Sequence, residues 1–132
     1  MKQSAQRPVF LNLLQIRLPL GGVLSILHRV SGVLLVLAIP IFVYFLQILS
    51  AGEASFTHAQ EIIQSIPGKI LISLIVWVLI QHSISGIRHL MMDLDYGYNK
   101  QVARKSATVA FAVSLLLMIL TGALIWLEEL AN

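Results

Sequence analysis

The chain has 132 residues, 58% of them hydrophobic and 11% charged, with a mean hydropathy of +0.87; this excludes a soluble domain of its size and fits a small integral membrane protein. Nine Lys and Arg against six Asp and Glu give a net charge of +3 and a pI near 9.6. No basic patch is interleaved with aromatic residues, so nucleic acid is not an expected partner and the basic residues read as topology signals.

The sequence contains no cysteine, which excludes disulfides, thiolate-bound zinc and iron–sulfur clusters ligated by this chain. Any redox metal would need histidine. Residues 1–12 lack the apolar h-region and small-residue cleavage site of a signal peptide, and the length and Arg/Ser richness of a transit peptide. The apolar runs are expected to insert by themselves.

Three runs are long enough to cross a bilayer, which takes about 20 apolar residues at about 1.5 Å each. The first, Val30 to Leu49, is interrupted only by Ser31, Gly32, Pro40 and Gln47. Its helix is expected to begin earlier, near Pro19 to Gly22, and to cover residues 20–49, which puts Ser25, His28 and Arg29 where the hydrocarbon begins. Ser50 to Ser65, with Glu53, His58 and Glu61, reads as a loop with room for one short interfacial helix. After the helix-breaking Pro67 the second helix is expected over 68–91 and the third over 106–128, joined by a compact polar connection from Asp93 to Lys105. No internal repeat, low-complexity tract or second domain is visible, so the expected fold is all-α: one transmembrane domain over residues 1–132 with three membrane-spanning helices.

The basic residues orient it. Lys2, Arg7, Arg17 and Arg29 precede or open the first span, and Lys100, Arg104 and Lys105 lie between the second and third. The other side holds only Lys69, beside Glu53, Glu61, Glu128 and Glu129. The N-terminus is therefore expected in the cytoplasm and the C-terminus on the opposite side. On antiparallel helices this sets Arg29 and Arg88 at one cytoplasmic boundary, where two polar clusters can meet: Ser25, His28 and Arg29 in the first helix, and His82, Arg88, His89 and Asp93 in the second. Ionisable groups cost about 3 kcal/mol each at the centre of a membrane helix and are tolerated mainly where they face a bundle interior, a cofactor or a substrate path.

His82, Gly86, His89 and Asp93 stand at i, i+4, i+7 and i+11, which keeps them within a stripe of about 60°. Gly86 has no Cβ, so a neighbouring helix or a flat ligand can lie against the backbone there. Helix rise predicts Arg88 and His89 about 9 to 10 Å nearer the cytoplasm than His82, and His28 about 9 Å or more. Two axial nitrogens must approach one iron from opposite faces at about 2 Å, so neither His28 nor His89 is expected to pair with His82 on one haem; the competing arrangement puts an iron between His28 and His89 at the interface. Plainer roles exist for each group: a histidine bonding across the bundle, snorkelling anchors at Arg88, His89 and Asp93, a serine satisfying its own backbone at Ser25, and lipid phosphate for Arg29. His58 reads as a solvated bystander and Met91 and Met92 as packing. Trp77 and Trp126 read as membrane residues or anchors, and Tyr96 and Tyr98 as part of the aromatic belt.

Four segments carry a resemblance over nearly the whole chain: Arg7-Pro8-Val9, Ile16-Arg17-Leu18-Pro19, Ser25-Ile26-Leu27-His28-Arg29-Val30-Ser31-Gly32 and the run from His82 to Asp93. The pair Ser-x-x-His-Arg-x-Ser-Gly and His-x-x-x-Gly-x-Arg-His resembles the cytochrome b556 subunits of bacterial succinate dehydrogenase, respiratory complex II. The resemblance implies half of a heterodimeric haem-binding bundle in the bacterial inner membrane, with a periplasmic C-terminus. It implies haem b with His82 as an axial ligand, the second coming from a partner anchor subunit, and a ubiquinone site lined by Ser25 and Arg29. His28, Arg29, Gly86, Arg88 and His89 would surround the haem and its propionates. The implied partners are a second hydrophobic anchor, an iron–sulfur subunit and a flavoprotein that oxidises succinate. The alternatives are a haem-free structural anchor of a fumarate reductase-like complex, or a small transporter or channel subunit with the polar stripe as its ion path. Three spans, no inverted repeat and no acidic group deep in the membrane weigh against transport.

Overall fold

Apolar runs of this length fold as helices in a membrane because only a helix satisfies every backbone N–H and C=O within its own segment. The structure, a computed structural model, describes residues 18–97 and 99–130, with side chains as far as residue 127. Lys2, Arg7-Pro8-Val9, Ile16-Arg17, Tyr98 and the side chains of Glu128 and Glu129 lie outside the described residues. The described residues form four helices in order, α1 (Leu20–Ser50), α2 (Glu53–Gln64), α3 (Ile66–Asp93) and α4 (Lys100–Leu130). Three of them, α1, α3 and α4, are long and apolar enough to cross a membrane. At 31 residues, α1 is about 46 Å long against a hydrocarbon core of about 30 Å, so its first turns reach the boundary.

Local chemistry sets the helix ends. α3 starts at Ile66, with Pro67 inside its first turn, because first-turn N–H groups have no intrahelical acceptor and a proline there loses nothing. The Ser65 hydroxyl caps that turn by accepting from the Gly68 N–H at 3.2 Å. At the other end of α3, Asp95 takes the left-handed conformation with φ +62°. Its N–H donates to the Met92 carbonyl and that of Tyr96 to Met91, each at 3.0 Å, the bond pair of a Schellman stop. α4 begins at Lys100, within the stretch expected as a polar connection. Lys100, Gln101, Ala103, Arg104 and Lys105 are good helix formers, and the Asn99 side chain caps them by accepting from the Gln101 N–H at 3.0 Å. Hydropathy locates a span but not the polar turns that lengthen it.

α3 lies between α1 and α4, and α2 crosses α1 and α3 at the end away from Arg29. The interfaces are made largely of small and polar side chains: Ser31, Gln81, Ser85, Ala107, Ala110 and Ser114 are buried, with Leu24 of α1 seated against Ala107 and Ala110 of α4. This is how membrane helices associate, since lipid tails are as apolar as leucine and gain comes from close backbone approach and interhelical hydrogen bonds. The outward faces of α1 and α4 stay apolar and exposed, as at Val36, Leu37, Phe42, Leu116 and Leu124.

The tightest approach is between α1 and α3. A Cβ on Gly32 would come within 3.1 Å of His82 Cε1, and one on Gly86 within 3.2 Å of His28 Cε1. Each histidine therefore packs over the glycine of the opposite helix, and the bare backbone on both sides is what admits the two rings. Replacing Gly32 or Gly86 by leucine should cost about 1–3 kcal/mol by overpacking, with Gly86→Ala costing less because His28 need yield only a few tenths of an ångström. Thermal unfolding in detergent reads this; leucine variants as stable as the parent would contradict the crossing.

Candidate functional site

The helix stripe of His82, Gly86 and His89 is covered by α1, and what lies over Gly86 is the His28 ring. The His28 and His82 rings stack with centroids 4.2 Å apart and 17° between planes, and His89 tilts against His28 at 5.3 Å and 44°. Helix rise alone set His28 about 9 Å or more from the level of His82; the structure corrects this. That estimate took Arg29 and Arg88 as level, whereas the register puts His28 opposite Gly86 and Gly32 opposite His82. The missing Cβ atoms let the two rings lean together.

The hydrogen bonds define the rings chemically. His28 Nδ1 donates to the His82 carbonyl and His82 Nδ1 to the His28 carbonyl, both at 3.2 Å. A carbonyl can only accept, so each ring carries a proton on Nδ1, and in the neutral ring the lone pair sits on Nε2. No hydrogen bond within the described residues engages either Nε2. A protonated Nδ1 held by a backbone carbonyl, with Nε2 open, is the arrangement of a metal-ligating histidine.

Among the described residues no group of three or more His, Cys, Asp or Glu comes together to hold a bare ion. The donor set suits a macrocycle that brings its own equatorial nitrogens and asks the protein for an imidazole. Rings stacked face to face cannot aim two Nε2 atoms at one iron from opposite sides, so His28 and His82 could not both serve one haem.

Ser25 and Arg29 meet one turn before the stack: the Arg29 Nη2 donates to Ser25 Oγ at 3.1 Å, with Arg29 exposed and Ser25 half-buried. Ser31, Ser50, Ser65, Ser106 and Ser114 all donate their hydroxyls to a carbonyl three or four residues back. Ser25 does not, so its proton remains available to an incoming oxygen. Arg29 likewise has no carboxylate within salt-bridge distance among the described residues.

Arg88 goes elsewhere. Only 8% exposed, its guanidinium donates from Nε to Ser106 Oγ and from Nη2 to the Ala103 carbonyl, each at 3.2 Å. It joins α3 to α4 on the side away from the histidine stack. Asp93 is exposed at the end of α3. His58 is exposed on α2 beside Glu61 at 3.7 Å, clear of this site.

Ser31, Gln81 and Ser85 had no assigned role in the linear reading, yet all three are buried at the crossing. The signal that marks them is a five-residue pattern present twice, His28-Arg29-Val30-Ser31-Gly32 and His82-Ser83-Ile84-Ser85-Gly86, both His-x-x-Ser-Gly. On antiparallel helices the two copies face each other, and each supplies the glycine under the other's histidine.

Residues 3–121 match the model of the succinate dehydrogenase/fumarate reductase transmembrane subunit family. The chain is similar to the succinate dehydrogenase cytochrome b556 subunit of Coxiella burnetii, with 36% identity over 127 residues, covering 93% of this chain and 99% of that one. It is similar also to the subunits of the same name from Paracoccus denitrificans, at 33% identity over 87% of this chain and 88% of that one, and from Rickettsia felis, at 30% over 87% and 90%. Three spans, a histidine pair at their crossing and these likenesses over most of the chain converge on one assignment: this chain belongs to the family of transmembrane subunits of succinate dehydrogenase and fumarate reductase.

Proposed function

We propose that this chain is the membrane-anchor cytochrome b subunit of a succinate:quinone oxidoreductase of the bacterial inner membrane, that it binds haem b through His82, and that it helps form the site of ubiquinone reduction. Its N-terminus faces the cytoplasm, as the basic residues Arg29, Lys100, Arg104 and Lys105 at one end of the bundle favour, and its C-terminus faces the periplasm. Its partners are a second hydrophobic anchor, an iron–sulfur subunit docked at the basic end, and a flavoprotein where succinate is oxidised.

The observation that carries the quinone site is the uncommitted hydroxyl of Ser25 beside Arg29. A quinone headgroup is apolar with two carbonyl oxygens, so it needs an apolar slot at the membrane boundary and a few donors. Ser25 donates to one carbonyl oxygen. Arg29, fixed against Ser25, supplies positive charge where that oxygen becomes negative on reduction, and water-poor surroundings strengthen the effect. Exposed Ile26 and Val30 on the same helix give the apolar wall.

His82 would hold the haem through its open Nε2, and a further protein ligand would have to come from the partner anchor, since His28 is stacked against His82. When bound, haem b supplies a one-electron carrier beside the quinone. His28, Gly86 and His89 line the same crossing and Arg29 adds charge from the neighbouring turn, whereas Arg88 is turned to Ser106 and Ala103 of α4.

Two measurements on the assembled complex check these assignments. His82→Ala should abolish or strongly perturb the b-type spectrum whereas His89→Ala shifts only the potential; the reverse ranking would overturn the ligand assignment. Ser25→Ala and Arg29→Leu should each slow quinone reduction by about tenfold or more, with succinate oxidation by an artificial acceptor at the soluble subunits retained. Full quinone turnover in both variants, with assembly and haem content intact, would leave Arg29 a mere anchor.

A further inference from the structure

The two His-x-x-Ser-Gly copies are alike in sequence but not in hydrogen bonding. Ser31 and Ser85 each stand three residues after a histidine and are 4% and 1% exposed. Ser31 donates its proton to the His28 carbonyl at 2.9 Å, so toward His82 Nδ1, 3.2 Å away, its oxygen can only accept. The His82 Nδ1–H thus has two acceptors, Ser31 Oγ and the His28 carbonyl. The corresponding oxygen on α3, Ser85 Oγ, accepts instead from Gln81 Nε2 of its own helix at 2.9 Å, and His28 Nδ1 has the His82 carbonyl alone. The flanking residues differ as well: the position before the histidine is Gln81 on α3, which donates to its serine, and Leu27 on α1, which has nothing to donate.

From this asymmetry we infer that Ser31 is the positioning residue that makes His82, rather than His28, the electron-rich imidazole of the crossing, Ser85 being bonded to Gln81 and giving His28 no matching acceptor. The inference rests on the reading that haem binds at His82. A further acceptor at Nδ1–H gives the ring more imidazolate character, which strengthens donation from Nε2 and favours ferric over ferrous iron. It also fixes the ring's orientation, because the imidazole is held from two directions. Ser31 does this without touching the iron or the quinone.

The test uses matched serines in the assembled complex. Ser31→Ala and Ser85→Ala remove the same atom from equally buried helical positions, but only the first takes an acceptor from His82. Ser31→Ala should lower the ferric preference of the haem by about three- to tenfold, a positive shift of up to about 59 mV for one electron, and change the low-spin EPR signature. Ser85→Ala should leave both unchanged. Equal shifts in the two variants, or none in Ser31→Ala, would overturn the proposal. Should Ser31→Ala lose its haem, Ser31→Thr decides: retention of the hydroxyl restores haem and potential if hydrogen bonding is the cause, and fails to if side-chain size is. A complex whose haem spectrum survives His82→Ala would instead refute the ligand assignment. With that spectrum lost, an unmoved potential in Ser31→Ala refutes this inference alone.

Discussion

Two histidine rings, each over the glycine of the other helix and each donating Nδ1–H to the other's main-chain carbonyl, join α1 to α3. A membrane interior offers no hydrophobic gain for bringing two apolar helices together, so the crossing depends on contact distance and on interhelical hydrogen bonds. Glycine supplies the first and histidine the second. A larger residue at Gly32 or Gly86 meets a ring at about 3 Å, and His28, whose Nδ1–H has the His82 carbonyl alone, would without it leave a polar N–H in hydrocarbon, where each unsatisfied group costs several kcal/mol.

The same bonds have a chemical consequence. Holding Nδ1 in its protonated form leaves Nε2 as the nucleophilic nitrogen, so a contact that serves packing also leaves a donor nitrogen open. One turn nearer the basic end the logic differs: Ser25 gives up the backbone bond that five other serines make, and is paired with a cation instead. Polar groups satisfied inside the bundle hold it together, and those left with spare capacity at its boundary are available for chemistry. Arg88 belongs to the first kind, being spent on Ser106 and Ala103 of α4.

Much of this was readable from the chain. The apolar runs announced three spans, and the His82, Gly86, His89 stripe announced a special face on α3, because period and hydropathy are properties of one helix. The relative level of two helices is not. Nothing in the residues between 33 and 81 states that His28 comes opposite Gly86, and counting rise from a shared arginine boundary missed the histidine stack. The start of α4 at Lys100 and that of α3 at Ile66 were hidden for another reason: caps by Asn99 and Ser65 override hydropathy in setting helix ends. The duplicated His-x-x-Ser-Gly pattern was in plain view, but five residues acquire meaning only once the antiparallel register brings the copies face to face.

The central claim is that this crossing serves a haem rather than packing alone. A reduced-minus-oxidised difference spectrum of the complex copurified with the unmodified chain tests it most directly. The account predicts a b-type α band in proportion to the amount of this chain. An intact complex that turns over succinate and quinone with no such band would contradict it.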